Sequence, residues 1–395
     1  MTSGTTGPGA RPAPLNGSSK GPLKGIRVVE LAGIGPGPFA AMTLADLGAD
    51  VLRVDRPGGA TVIGPPETDL LNRGRPSVAI DLKQPEGVAT VLRLVERADA
   101  LIEGFRPGVA ERLGLGPEDC WKVNPRLVYG RMTGWGQEGP LAQSAGHDLG
   151  YIAMTGALNA IGRAGGPPQV PLNLVGDFGG GGMYLVTGIL AALLEARTSG
   201  VGQAVDAAIV DGAAHLSSMI VGMRAAGAWT DERGTNLLDS GAPFYDVYET
   251  SDGRHMVVAA LEPQFYQDFV ERFGVDDLPD RADPAQWPFL RERIARRFAE
   301  KTQAEWTAIY DGTDACVAPV LTFAEAGQSP HLAARATLVE HHGILQPAPA
   351  PRFSRTPSAL GTAPSRAGQD SRSALRDWGI EDADALIDGG VVHQD

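Results

Sequence analysis

The sequence predicts an α/β fold with a parallel sheet, followed by a smaller α+β domain. Three observations carry this. Apolar strand-like runs alternate with helix-like runs between residues 25 and 132, as successive βαβ units do. A hairpin signal near residue 250 marks a change of character. The stretch 345–365 is rich in Pro, Ser and Ala and reads as an extended strap.

Taken in order, the first twenty residues, "MTSGTTGPGARPAPLNGSSK", lack the apolar segment of a secretory signal, and 1–22 reads as a disordered arm. "GIRVVEL" (25–31) is a buried strand, and the segment after "GIGPGP" is a helix ending near "LGAD". "DVLRVDR" (50–56), "SVAIDLK" (77–83), "ADALIEGF" (98–105) and "RLVYGRM" (126–132) continue the strands, with "PEGVATVLRLVERA" as an intervening helix. Long apolar helical runs follow from Met183 to Ala196 and from Gly212 to Trp229. In "FYDVYETSDGRHMVVAAL" (244–261) two short strands flank a Ser-Asp-Gly turn, and charged helical segments such as "PFLRERIARRFAEK" come after it. "SRSALRDWGI" and "EDADALIDGG" are two short helices near the end. The expected division is therefore a large domain over 23–230, a small α+β domain over 235–325, and a strap over 326–395 that returns to the large domain.

At 395 residues and 43% apolar content the chain is long enough for two ordinary domains. A formal net charge of −13 argues against nucleic acid or an anionic membrane as partner. A local cluster of Arg and Lys can still hold an anionic small molecule. Cys120 and Cys316 are too few and too far apart for a disulfide framework or a thiolate metal site. The apolar run "MYLVTGILAALLEA" is too short to span a bilayer. A soluble, cytoplasmic protein is the expectation.

Five features could carry chemistry. "GIGPGPFA" followed by "VDR" resembles a dinucleotide fingerprint, but read from Gly33 it has Pro38 at the third glycine position. The looser pattern Gly35 to Ala40 fits, yet Pro36 and Pro38 lack the N–H groups a pyrophosphate needs. A rigid strand-to-helix turn with Pro near the first helical position explains it better. Arg56, Lys83, Arg106 and Arg112 stand at the ends of strands, where ligands of open α/β sheets bind; singly, each is an ordinary solvated charge. His147 and Asp148, in "SAGHDLGY", open an apolar helical stretch, where a His can serve as a base or merely cap a loop. The pair His341–His342 and His255, His331 and His393 have no ligand spacing and read as surface residues.

Asp177, in "NLVGDFGGGGMYLVTG", fits an N-cap or first-turn acid of a helix beginning near Gly180. The four glycines after it are each unfavourable by about 1 kcal/mol relative to Ala in a helix, so something must require them. No Lys-Ser or Lys-Thr follows as in a P-loop. Glu262 precedes a Pro at a strand-to-helix junction, a common structural arrangement.

Together "VVELAGIGPGPFAAMTLADLGADVLRVDRPG", "LIEGFRPGVAERLGLG", "RMTGWGQEGP", "AGHDLGY", "NLVGDFGGG", "VDAAIVDG" and "LEPQFY" resemble the racemase branch of the family III CoA-transferases (CaiB/BaiF), from about Leu23 to Arg355. The resemblance implies an interlocked homodimer of chains with a Rossmann-like large domain and a small domain. It implies a CoA thioester substrate and no metal or redox cofactor. In the transferases an aspartate at the position of Asp177 is the nucleophile. The racemase branch pairs that aspartate with a His and a Glu, which fall here on His147 and Glu262. CoA contacts fall on Arg56, on Ile80, Asp81, Leu82 and Lys83, on Gly104, Phe105 and Arg106, on Arg112, and on the turn from Gly146 to Tyr151.

The activity implied is racemisation at C2 of a 2-methylacyl-CoA through an enolate. His147 and Asp177 exchange the proton on opposite faces, so Asp177 needs a raised pKa, which desolvation can supply. Glu262 sets the tautomer of His147, and the backbone N–H of Asp148 donates to the enolate oxygen. Met132, Met154, Met183, Met219 and Met223 offer an adaptable apolar surface for the acyl chain. The glycines after Asp177 then read as clearance for the reacting carbon or for crossing chains of a dimer. A transferase using Asp177 as nucleophile, or a CoA-ester binding protein without activity, are the alternatives.

Overall fold

The structure is a computed structural model that describes residues 20–59 and 64–395. In chain order the strands are β1 (Arg27–Leu31), β2 (Asp50–Asp55), β3 (Ser77–Ile80), β4 (Ala100–Glu103), β5 (Val128–Thr133), β6 (Ala204–Ala208), β7 (Tyr245–Glu249), β8 (His255–Ala259), β9 (Val317–Pro319), β10 (Leu338–His341), β11 (Ile344–Pro347) and β12 (Val392–His393). The chain divides into two compact units. The first holds the described residues through Tyr151, then Asn173–His215 and Arg335–Asp395; the second holds Ile152–Leu172 and Leu216–Ala334. The chain thus passes between units four times, at different places from the expected changes near 230 and 325. The excursion 152–172 is as rich in glycine and apolar residues as its flanks, so composition does not mark it.

The first unit is built on a seven-stranded sheet in the order β12-β3-β2-β1-β4-β5-β6. All pairs are parallel except β12, which runs antiparallel to β3. β1 and β2 are buried along their whole length; their apolar residues run in pairs rather than alternating with polar ones, and their buried charges are paired, Arg27 with Asp50 and Arg53 with Asp55. Successive side chains still point to opposite faces. Val29, Leu31, Leu52, Val54 and Leu101 join one core with Val91 and Leu94 of the Pro85–Val95 helix. Val28, Val51, Ala100 and Ile102 join the other with Ala40, Leu44, Leu185 and Ile189. β6, β12 and the β10–β11 hairpin go beyond the strands expected; the hairpin replaces the first part of the extended strap. The two helices expected near the end are present, at Ser371–Asp377 and Ala383–Asp388. They bring Leu375, Trp378, Ile380 and Ala383 into the first core.

Most of the expected arm, residues 1–19, lies outside the described residues. Its last residues are tied down: Gly21, at φ 118°, lies against the carbonyl of Leu47. One expectation is corrected. The "MYLVTGILAALLEA" helix continues from a preceding segment, and the whole, Leu174–Ser199, is 26 residues long and apolar enough to cross a membrane by length and composition. Its inner stripe, Leu185, Val186, Ile189, Ala192 and Ala196, packs on the sheet core of the first unit.

The second unit contains the antiparallel β7–β8 hairpin, with β9 as a third strand. Its Ser-Asp-Gly turn is closed by the Thr250 N–H on the Arg254 carbonyl at 2.8 Å, with Gly253 at φ 71°. The strands pack on helices through an aromatic core of Phe244, Tyr248, Phe269, Phe273, Phe298, Trp306 and Tyr310.

Candidate active site

The site forms in the first unit, past the carboxyl ends of β1, β4 and β5, where open parallel sheets bind ligands. β1 leads into a turn and the Pro36–Asp46 helix, with Gly35 as N-cap and Pro in the first helical positions, as the rigid-turn reading expects. Gly35 has φ 72°, and a Cβ there would stand 3.3 Å from Asp177 Oδ2. Only glycine suits that conformation without strain, and a side chain would press on the acid.

Asp177 lies inside a π-helical segment, Leu174–Gly182, that runs straight into the Met183–Ser199 helix. It is therefore not the N-cap of a helix starting near Gly180. The glycines explain the difference. A Cβ on Gly180 would lie 2.7 Å from the Ala213 backbone N, one on Gly181 3.1 Å from Pro36, and one on Gly182 2.6 Å from the Phe39 ring. They clear space for this chain's own helices, Pro36–Asp46 and Ile209–Leu216. Phe178 stacks on Phe39 at 4.7 Å and closes the same contact. Wide π turns are frequent at functional sites.

The Asp177 carboxyl is half-buried, and Asn173 Nδ2 donates to its Oδ2 at 3.3 Å. Its backbone N–H donates to Asp148 Oδ1 at 2.6 Å. Burial pushes the Asp177 carboxyl above the ordinary range and the nearby Asp148 adds to this; the Asn173 hydrogen bond and His147 oppose it. His147 is exposed, and its carbonyl accepts the Gly150 N–H at 2.9 Å as the Asp148–Met154 helix begins.

His147 and Asp177 line one cavity of about 510 Å³, together with Gly104, Phe105, Arg106, Gly146 and Tyr151. Gly146 has a structural reason: a Cβ there would stand 2.6 Å from the Tyr151 ring. That ring is also met edge-on by Trp135 at 4.8 Å. Burial raises the Tyr151 phenol, Asp177 raises it further, and Arg106 opposes. A second cavity of about 720 Å³ shares Gly33–Gly35, Pro38 and Asp177 with the first, so Asp177 is reached from two sides. Its far wall includes Ser365, Arg366, His393 and Asp395, which nothing local in the sequence singles out.

The remaining expected residues lie elsewhere. Ile80 is fully buried in the sheet core, and Leu82 packs against that core. The Lys83 N–H donates to Asp81 Oδ1 at 3.0 Å and holds that carboxyl low, while the Lys83 side chain is exposed. These four stand at the end of β3, two strands from β1. Arg56 is exposed, its Nε on the Gly59 carbonyl at 2.8 Å, and the Gly58–Gly59 turn lines the second cavity. Arg112 is exposed at the end of the Val109–Arg112 helix. Glu262 belongs to the second unit, exposed at the N-cap of the Pro263–Phe273 helix. Of the methionines, Met132 is buried and lines the first cavity, while Met154, Met183 and Met219 are exposed. Among the described residues no three His, Cys, Asp or Glu side chains gather as metal ligands would.

A support that sequence reasoning missed holds the Gly104–Arg106 loop. Glu103 is fully buried; its Oε2 accepts the Phe105 N–H at 2.6 Å and its Oε1 pairs with Arg131 Nε at 3.1 Å. Arg131 reaches on to Glu111 at 2.9 Å. The loop and the Arg112 helix are thus tied to β4 and β5 by one ion network. A lone Glu at the end of an apolar strand was its only local signal.

A parallel sheet with an acid and a histidine at its carboxyl edge defines a class, and comparison identifies it: the chain belongs to CoA-transferase family III, whose sequence profile matches residues 23–371. Its relatives include the α-methylacyl-CoA racemase of Mus musculus, 46% identical over 92% of this chain and 95% of that protein. The human α-methylacyl-CoA racemase is 47% identical over 85% of this chain and 87% of its own. A crystal structure of a CaiB/BaiF family protein from Brucella suis superposes with a TM-score of 0.79 at 26% identity, covering 91% of this chain and all of that one.

Proposed function

We propose that this chain is an α-methylacyl-CoA racemase, inverting C2 of 2-methylacyl-CoA thioesters by removing and returning the α-proton. The observation that carries the reading is the pairing of His147 with a half-buried Asp177, raised toward its protonated form, on one cavity. Asp177 in that form is a proton donor and a poor nucleophile, which favours proton exchange over acyl-anhydride chemistry. For one enantiomer neutral His147 takes the proton while protonated Asp177 supplies one; for the other the roles reverse. The Asp148 backbone N–H is the donor assigned to the enolate oxygen. Arg106 at the cavity and Arg112 on the adjoining helix supply positive charge for the CoA phosphates. Glu262 is the third member of the set that the resemblance assigns.

The test is deuterium incorporation at C2 of a 2-methylacyl-CoA in heavy water. Exchange with loss of optical activity is expected, and His147→Ala or Asp177→Asn should each slow it by about 10²–10⁴-fold. Acyl movement between two CoA acceptors without C2 exchange would establish the transferase reading instead.

A further inference from the structure

The racemase reading uses the backbone of Asp148 and leaves its side chain without a task. The residue is 8% exposed at the start of its helix. Oδ1 accepts the Asp177 N–H at 2.6 Å. Oδ2 is shielded from solvent and has no hydrogen-bond partner among the described residues. A carboxylate withdrawn from water normally has both oxygens satisfied, and leaving one bare is unfavourable. Here the bare oxygen belongs to an acid beside the reacting acid. The N–H it grips lies 29 residues further on, in the π-helical turn from which Asp177 projects.

We propose that Asp148 is a positioning residue for Asp177: one oxygen fixes the backbone of the π turn, and the other keeps a carboxylate beside the reacting acid. The inference rests on the racemase reading. The titratable groups that act on Asp177 are Asp148 and His147, with Tyr151 coupled to it in turn. Asn173 adds a neutral donor, the Gly35 turn brings no charge, and Asp69, Arg366, His393 and Asp395 line the cavity beyond. Burial is the larger influence, and Asp148 acts in the same direction.

Turnover needs one proton shared by Asp177 and His147. On the acid limb of the pH profile both become protonated and no base remains. Removing the Asp148 charge lowers the pH at which Asp177 takes that second proton, so the acid limb moves to lower pH. The experiment is Asp148→Asn in the full chain, with C2 exchange of 2-methyldecanoyl-CoA followed across pH. Titration of the Asp177 carboxyl stretch by infrared difference against Asp177→Asn runs beside it. Expected are a kcat about tenfold lower with little change in KM, and an acid limb and infrared midpoint both displaced to lower pH. A folded variant in which neither moves overturns the proposal. Should Asp148→Asn fail to fold, Asp148→Ser keeps an acceptor oxygen without charge and is read in the same way. Wild-type protein that never exchanges at C2 would sink the racemase reading instead, and the infrared midpoint would still decide the part played by Asp148.

Discussion

At the scale of single residues, Gly35 carries two constraints at one atom. Its φ of 72° disfavours any side chain, and its missing Cβ is what lets the strand-to-helix turn come up against Asp177. Gly35→Ala is expected to destabilise the fold by about 1–2 kcal/mol from the left-handed backbone alone. Because the new methyl would press on Oδ2, the loss in C2 exchange should exceed about tenfold even well below the melting transition. A thermal melt and an exchange assay at a permissive temperature separate the two. Full exchange activity in a folded Gly35→Ala protein would show that the turn does not set the position of the acid.

At the scale of elements, the π-helical segment shows what sequence patterning reaches and where it stops. Four glycines argue against a helix by propensity, and the start was expected near Gly180 because Asp177 read as its N-cap or first-turn acid. The helix persists through them because Pro36, Phe39, Gly212 and Ala213, remote in sequence, leave no room for side chains there. Gly180→Ala should therefore act against propensity. Alanine is the better helix former, yet its Cβ would meet the Ala213 backbone at 2.7 Å, where no rotamer change relieves it. A loss of about 2–3 kcal/mol in urea unfolding is expected, with C2 exchange reduced because the displaced turn carries Asp177. A stabilised protein would mean that the close approach is not real. The same division runs through the rest of the fold. β1 to β5 were legible because each carries a short apolar run, such as Val28-Val29 or Val51-Leu52, that does not alternate with polar residues. β6 begins exposed, and β9 and β12, three and two residues long, are strands only by virtue of distant partners. His147, Asp177 and Arg106 were found from local motifs, whereas the Glu103–Arg131–Glu111 network and the wall at Ser365 and His393 depend on chain-distant meetings.

Across the first unit as a whole, the parallel sheet separates support from chemistry. The site lies past the last residues of β1, β4 and β5, while the amino ends of β1 and β2 are held by the C-terminal segment. There Trp378 is 2% exposed, packed in the core, and meets Arg27 at 5.0 Å, while Arg27 pairs with Asp50 at 3.3 Å. Composition shifts marked this C-terminal stretch as a strap, but its place in the core rests on neighbours at residues 27 and 50, 351 and 328 positions earlier, which no local pattern reports. Trp378→Ala should cost about 3–5 kcal/mol. Trp378→Phe, which keeps an aromatic ring but leaves part of the indole's space empty, should cost less, about 1–3 kcal/mol. Against a typical net stability of about 5–15 kcal/mol, the first is a large fraction of the whole. Because both changes act at the edge of the sheet away from Asp177, kcat per folded molecule should stay within about twofold of wild type at low temperature while Tm falls in the order Ala below Phe below wild type. Calorimetry and C2 exchange on the same samples check this. A fall in kcat that tracks the fall in Tm would show that the two edges of the sheet are coupled.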